Sequence, residues 1–378
     1  MMLKTLGETA RFINGAAFKP TDWEDKGLPI IRIQNLTGTG EKFNCTTRQV
    51  KQELVVEPGD LLVSWSATLD VYRWTGPRGV LNQHIFKVLP NSGIDPDYLF
   101  YALKSALAEL SAKTHGSTMK HVVRGDFEST QVHMPSLAEQ RRIVDILSRA
   151  EGIVRLRRDA ENKAADLIPA LFLDMFGDPA TNPKGWMMET VGNVIESADY
   201  GSSTKASDDS SGLPLIRMGN VDFAGTLNLT SLKFVNLSNA EAEKYRLRAG
   251  DILFNRTNSK DLVGKTGLWG DEREAVVASY FIRLRVDRDR LHPCYLWAFM
   301  NSRHMKRVLF DTARGAIGQA NINSKELKAF PVAVPPLKLQ QNYAARIEDI
   351  RSIQSQQSAA SATAQATFDA LLSRVFAA

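Results

Sequence analysis

Gly264-Lys265-Thr266 ends like a loop that cradles a nucleotide phosphate, where backbone N–H groups and a lysine hold the anion. Such a loop needs another glycine five residues before Gly264, and Ser259 stands there, so the cradle is not supported. His84, His115, His121, His133, His292 and His304 fall at no metal-ligand spacing, and Cys45 and Cys294 build neither a disulfide framework nor a typical zinc site. No Gly-x-Ser-x-Gly elbow, His-Glu-x-x-His helix or Gly-x-Gly-x-x-Gly turn after a strand is present. Pro335-Pro336 lacks the polar residue before and the aromatic residue after that mark the tetrapeptide of amino-methyltransferases. Catalysis by this chain alone is therefore not expected, and neither a cofactor nor a metal is.

With catalytic spacing absent, the elements that organise the chain carry the argument. Its 378 residues suit two domains of ordinary size, and a formal net charge of +5 suits a polyanionic partner without requiring one. No apolar run approaches the roughly 18 residues of a membrane span. Met1-Met2-Leu3-Lys4-Thr5-Leu6-Gly7-Glu8 has no long apolar stretch, so a cytoplasmic location and no membrane partner are expected.

The chain is written twice. Gly-Leu-Pro-Ile-Ile-Arg-Ile-Gln-Asn at 27–35 returns as Gly-Leu-Pro-Leu-Ile-Arg-Met-Gly-Asn at 212–220, an offset of 185. Gly59-Asp60-Leu61-Leu62 returns as Gly250-Asp251-Ile252-Leu253 at 191, and Gly116 pairs with Gly315 at 199. From Pro135 onward the offset is 200 and holds to Phe176 and Phe376. Length therefore varies inside each head, where surface loops absorb insertions cheaply, and is constant through the last 40 residues of each copy.

Each head reads as α+β. Short apolar, β-leaning runs at 27–35, 54–66 and 80–89 recur at 212–221, 247–256 and 275–286, and helices open at Pro96 and Pro293. Residues 137–176 differ in kind. Ile143, Leu147, Ala150 and Val154 repeat at steps of four and three, Ala164, Ile168, Leu171 and Met175 resume the spacing, and Arg141, Arg142, Arg155, Arg157 and Arg158 fill the opposite face. This predicts an amphipathic helix with an interruption near Arg157 and Glu161, and Pro169 should kink or end its hydrogen bonding. A 40-residue helix reaches about 60 Å. The copy at 337–376 has Asp369 at the proline position. Two such helices most simply pair antiparallel as a coiled coil; two separate surface helices, each packed on its own head, are the alternative. The division expected is a head at 1–136, a helix at 137–178, a second head at 179–336 and a second helix at 337–378.

Each copy resembles a target-recognition domain of a type I restriction–modification specificity (S) subunit. The second carries Asn182-Pro183-Lys184-Gly185-Trp186, Gly212-Leu213-Pro214-Leu215-Ile216-Arg217 and Ala249-Gly250-Asp251-Ile252-Leu253-Phe254; the first carries Gly116-Ser117-Thr118-Met119-Lys120-His121 and Pro135-Ser136-Leu137-Ala138-Glu139-Gln140-Arg141-Arg142-Ile143-Val144. The likeness spans roughly 3–376, in order and twice. The second copy departs from the usual pattern at Arg314-Gly315-Ala316-Ile317-Gly318-Gln319 and at Leu339-Gln340-Gln341. The resemblance implies a non-catalytic subunit that reads a split site on double-stranded DNA. Its implied partners are methyltransferase subunits, expected as a pair, with or without restriction/translocase subunits. Heads reading one face of B-DNA sit about one turn, ~34 Å, apart, and unlike heads imply unlike half-sites.

Base edges in the major groove favour Arg, Lys, Asn and Gln, and hydroxyls position phosphates. On that chemistry the candidates in the first head are Ser66, Thr68, Tyr72, Arg73, Arg78, Asn82, Gln83 and His84, with Thr114, His115, Ser117, Thr118 and Lys120 in a glycine-rich turn. In the second they are Arg256, Asn258, Ser259, Lys260, Lys265, Tyr280, Arg314, Gln319 and Asn321. Trp65, Trp74, Trp269 and Trp297 read as core. The competing reading is a tandem-domain coiled-coil scaffold that binds no nucleic acid; an enzyme with an unrecognised site is the third.

Overall fold

A computed structural model describes residues 2–40, 42–66, 68–113, 124–259, 261–271, 273–316 and 319–376. The chain divides into two compact units, residues 1–159 with 359–378, and residues 160–358.

In the first unit, Met2–Thr5 pairs antiparallel with Gln131–Met134. A four-stranded antiparallel sheet follows in the order Ala10–Asn14, Ile85–Pro90, Leu61–Ser64, Asp70–Arg73. A second sheet orders Cys45–Thr46, Leu28–Ile31, Gly79–Leu81 and Val55–Val56, with its two middle strands parallel. The second unit repeats this plan. Met187–Thr190 pairs with Pro331–Val334; Ile195–Tyr200, Phe281–Val286, Ile252–Asn255 and Thr266–Leu268 form the antiparallel sheet; Leu213–Ile216 runs parallel to Val276–Val277. It also has a small sheet of Thr257–Asn258, Gln319–Asn321 and Arg314–Ala316.

The motifs that repeat in sequence are devices that shape the chain locally. Gly59 and Gly250 take φ of +96° and +94°, where a side chain would be strained, and Asp60 and Asp251 accept from the N–H of Glu57 and Arg248 at 2.7 and 3.0 Å. These turns launch the buried strands Leu61–Ser64 and Ile252–Asn255. Asn35 and Asn220 close the turn after the parallel strand by accepting from Arg32 N–H and Arg217 N–H at 3.0 and 2.9 Å. Gln140 and Gln340 latch each long helix to its head. The Gln340 amide donates to Pro335 O and Arg290 O at 2.7 and 3.3 Å, and its carbonyl accepts from His292 N–H at 2.7 Å. Gln140 does the same with Pro135 O, Gly93 O and Asp95 N–H, at 2.9, 3.3 and 2.8 Å.

A core helical stretch lies behind the antiparallel sheet of each head. Pro96–Lys113 is capped by Asp95, which accepts from Asp97 N–H and Tyr98 N–H. In the second unit the same stretch is two helices, Pro293–Asn301 and Arg303–Thr312, the second capped by the Ser302 hydroxyl. Trp74, Trp269 and Trp297 are buried as expected, whereas Trp65, read as core with them, is only half-buried. Cys294 is buried too, and burial pushes its thiol up to about 11, which makes it inert.

The long helices are Leu137–Ala165, Leu167–Phe176 and Leu337–Phe376. The break expected near Arg157 and Glu161 is absent; the helix runs through them and stops at Asp166. The cause is Pro169, which has no N–H for the carbonyl of Ala165 and whose ring crowds that turn. The 337–376 copy, with Asp369 there, is unbroken. In the first unit Leu147 and Val154 share a core with Phe368 and Phe376, and Tyr98 meets Phe376 at 5.3 Å. In the second, Phe172 and Phe176 pack on Tyr295 and Tyr343 at 4.8–5.9 Å, and Gln354 donates to Ala164 O at 2.7 Å. Within that unit the two helices run antiparallel: Tyr343 lies beside Phe176, and Gln354, further along, beside Ala164.

Candidate nucleic-acid interface

In each head the end of the first strand of the antiparallel sheet crosses the parallel pair of the neighbouring sheet, and a shared set of backbone hydrogen bonds holds the crossing. In the first head the end of Ala10–Asn14 runs into Gly15-Ala16, which lies along the 81–83 turn. Ala16 N–H donates to Leu81 O at 2.9 Å, Gln83 N–H to Ala16 O at 2.8 Å, Asn82 N–H to Ile31 O at 3.1 Å and Trp65 N–H to His84 O at 3.2 Å. In the second head Ser202 N–H donates to Val277 O at 2.7 Å, Ser279 N–H to Ser202 O at 2.8 Å, Ala278 N–H to Ile216 O at 3.0 Å and Arg256 N–H to Tyr280 O at 2.9 Å. A glycine is required at the crossing in both. A Cβ on Gly15 would lie 1.9 Å from Asn82 O, and one on Gly201 would lie 2.3 Å from Ala278 O.

This frame makes Asn14, Trp65, Asn82 and His84 equivalent to Tyr200, Arg256, Ala278 and Tyr280. In the first head the Trp65 indole N–H donates to Asn14 Oδ1 at 3.2 Å, and the indole meets His84 edge-on at 4.9 Å. His84 stands at φ +71°, a conformation that non-glycine residues rarely hold. Its Nδ1 and Asn82 Oδ1 are buried without a hydrogen-bond partner among the described residues. In the second head the Arg256 guanidinium lies 4.9 Å over the Tyr200 ring, and Tyr200 accepts from Ser324 N–H at 3.1 Å. Asn255, fully buried, donates to Thr257 O and Tyr280 O and accepts from Asn258 Nδ2 at 2.9 Å; Thr257 donates to Asn321 Oδ1 at 3.1 Å.

Of the sequence candidates, Asn82, Gln83 and His84 sit at this point in the first head, and Ser66 and Thr68 lie just beyond Trp65. Tyr72, Arg73 and Arg78 do not join them. The chain reverses after Ser64, so Arg73 pairs with Leu61 at the far end of the hairpin. There it ion-pairs with Asp97 and covers the Phe100 ring at 4.6 Å, and Arg78 pairs with Glu57 at 3.2 Å. Tyr72 packs on the Ile31–Leu62–Trp74 cluster, and burial raises its phenol. In the second head Arg256, Asn258, Ser259, Tyr280 and Asn321 converge, and Arg314 and Gln319 lie on strands of the small sheet beside them. Lys265 is turned inward: its ammonium donates to Met218 O at 2.8 Å, and burial lowers its pKa. Thr114, His115, Ser117, Thr118, Lys120 and Lys260 lie outside the described residues. The structure adds Asn14 and Tyr200 to these clusters. Their only sequence signal is that each precedes a repeated glycine, Gly15 or Gly201, at the end of a strand.

Two copies of one head, each carrying polar loop ends on a common frame and each continuing into a long helix, define a tandem recognition protein. Among the described residues no group of His, Cys, Asp and Glu could hold a metal ion, and no helix is long and apolar enough to cross a membrane. The chain belongs to the type I restriction modification DNA specificity domain family, whose pattern it matches over residues 1–164 and 183–360. It is 22% identical to the type I restriction enzyme EcoBI specificity subunit of Escherichia coli, over 92% of this chain and 78% of that one. It is 24% identical to the EcoKI specificity subunit of E. coli K12, over 86% and 76%. Among solved structures, its fold is similar to an S subunit from M. genitalium, with TM-score 0.53 and 14% identity over 100% and 96% of the two chains. It is also similar to a chain from a structure of type I restriction–modification complex assembly and conformational transition, with TM-score 0.61 and 18% identity over 99% and 97%.

Proposed function

We propose that this chain is the sequence-reading subunit of a type I restriction–modification system, in which each head docks on one half of an asymmetric, bipartite site on double-stranded DNA. The chain supplies recognition and no chemistry; methyltransferase subunits, taken as a pair, and restriction/translocase subunits supply the reactions. The observation that carries this reading is the duplicated frame: backbone geometry is kept between heads while the side chains mounted on it differ. A pure scaffold has no need of that contrast. The division into head, helix, head and helix at 1–136, 137–178, 179–336 and 337–378 belongs to the same proposal, with the helices acting as the spacer between half-sites. So does a cytoplasmic location, where the DNA lies.

Candidate contacts to DNA are Ser66, Thr68, Asn82, Gln83 and His84 in the first head and Arg256, Asn258, Ser259, Tyr280 and Asn321 in the second. Modified adenines mapped genome-wide in cells with and without this chain test the function. Loss of one bipartite, asymmetric methylation motif is the expected result, and an unchanged map refutes it. In vitro, the assembled complex should bind its site with an affinity that falls steeply with salt, since each neutralised phosphate contributes a slope of about −0.9.

A further inference from the structure

On the reading that each head docks on a DNA half-site, we propose that the heads acquire their different base preferences at equivalent positions of the shared frame. These are Asn14, Trp65, Asn82 and His84 in the first head and Tyr200, Arg256, Ala278 and Tyr280 in the second. Arg256 reads a guanine, and Asn82 with His84 reads a base that presents an exocyclic amine.

The frame confines variation to side chains. Four backbone hydrogen bonds recur between the heads at 2.7–3.2 Å, and the glycine crossing admits no Cβ in either copy. What differs is chemistry. The first head offers two carboxamides, an indole and an imidazole, and the second a guanidinium, two phenols and a methyl group.

Arg256 is suited to guanine for three reasons. Its guanidinium lies over the Tyr200 ring, and that contact restrains a long side chain carrying a planar fork of donors. The hydrogen bond from Ser324 N–H fixes Tyr200 in turn. Arg256 Nε has no hydrogen-bond partner among the described residues. A guanidinium matches the O6 and N7 acceptors that guanine alone presents side by side in the major groove.

The first head has the complementary character. Asn82 Oδ1 is an acceptor buried without a partner among the described residues, and His84 Nδ1 beside it is another orphan. Each such group costs folding, and His84 is also held at φ +71°. On this assignment a base edge completes both groups when DNA docks. A carbonyl acceptor is satisfied by the N6 amine of adenine or the N4 amine of cytosine. The second head has Ala278 at the Asn82 position and cannot make this contact.

The test is a methylation map from cells carrying the full complex with Arg256→Ala, Arg256→Lys, or Asn82→Ala with His84→Ala. Arg256→Ala should relax one G·C position of one half-site by roughly ten- to a hundredfold and leave the other half-site intact. The Asn82 and His84 pair should relax one position of the opposite half-site. Should Arg256→Ala prevent assembly, Arg256→Lys decides. It keeps the charge without the fork, so continued methylation with a relaxed G·C position supports the assignment and an unchanged motif overturns it. An unchanged motif with any assembled variant likewise overturns the assignment for that head. A wild-type complex with no bipartite motif sinks the proposed function instead, so the two failures are distinct.

Discussion

Replacing Gln340 with leucine should destabilise the second unit by about 2–5 kcal/mol. The side chain is fully buried and makes three hydrogen bonds at 2.7, 2.7 and 3.3 Å, one accepted from His292 N–H and two donated to Pro335 O and Arg290 O. Leucine fills a similar volume but satisfies none of them. A buried polar group left without a partner costs ~1–3 kcal/mol, and the substitution strands at least His292 N–H and Pro335 O. For a unit of this size, each kcal/mol lowers the melting point by ~2–4 °C, so the expected drop is about 4–20 °C. The assay is thermal unfolding followed by circular dichroism, with Gln356→Leu as control, because Gln356 is exposed and donates to the Ser352 hydroxyl at a long 3.4 Å. A shift for Gln340→Leu as small as that of the control would refute the reasoning. The latch would then be ornamental and some other contact would hold the helix to its head.

Gln140→Leu should cost the first unit a similar amount, since its bonds to Pro135 O, Gly93 O and Asp95 N–H repeat the arrangement; the same melt reads it. Gly15→Ala and Gly201→Ala force a Cβ to 1.9 and 2.3 Å from backbone oxygens, so each should lose about 2 kcal/mol or more in denaturant unfolding. Phe172→Ala removes a buried ring stacked 5.7 Å from Tyr295 and should cost ~3–5 kcal/mol by the same measurement. Lys306 donates to Gly264 O, and burial pushes its ammonium down to about 8 from 10.5. Between those values the unfolded chain binds more protons than the folded one, so stability rises as pH increases from ~8 to ~10.5. Lys306→Met should abolish that rise and raise stability at pH 7 by about 1–2 kcal/mol, read from melts across the pH range.

The duplication, the α+β heads and the long helices were legible in the residues because the repeated motifs act locally. Gly59-Asp60 and Gly250-Asp251 form a turn within four residues. Asn35 and Asn220 cap within three, and Gln140 and Gln340 reach the carbonyls of Pro135 and Pro335 five residues back. Such devices need only spacing, and spacing is what a sequence displays. The convergence of Asn14 and Trp65 with the 82–84 turn depends on strand pairing across more than sixty residues, which no local pattern encodes. A different pairing, the hairpin of Leu61–Ser64 with Asp70–Arg73, carried Arg73 away from the cluster, because it sends the residues after Ser64 back to the opposite end of the strand. Lys265 was turned inward by the Met218 carbonyl, a partner 47 residues away. The heads' chemistry was written in residue types, but which of those residues share a surface was decided by the sheet that folds them together.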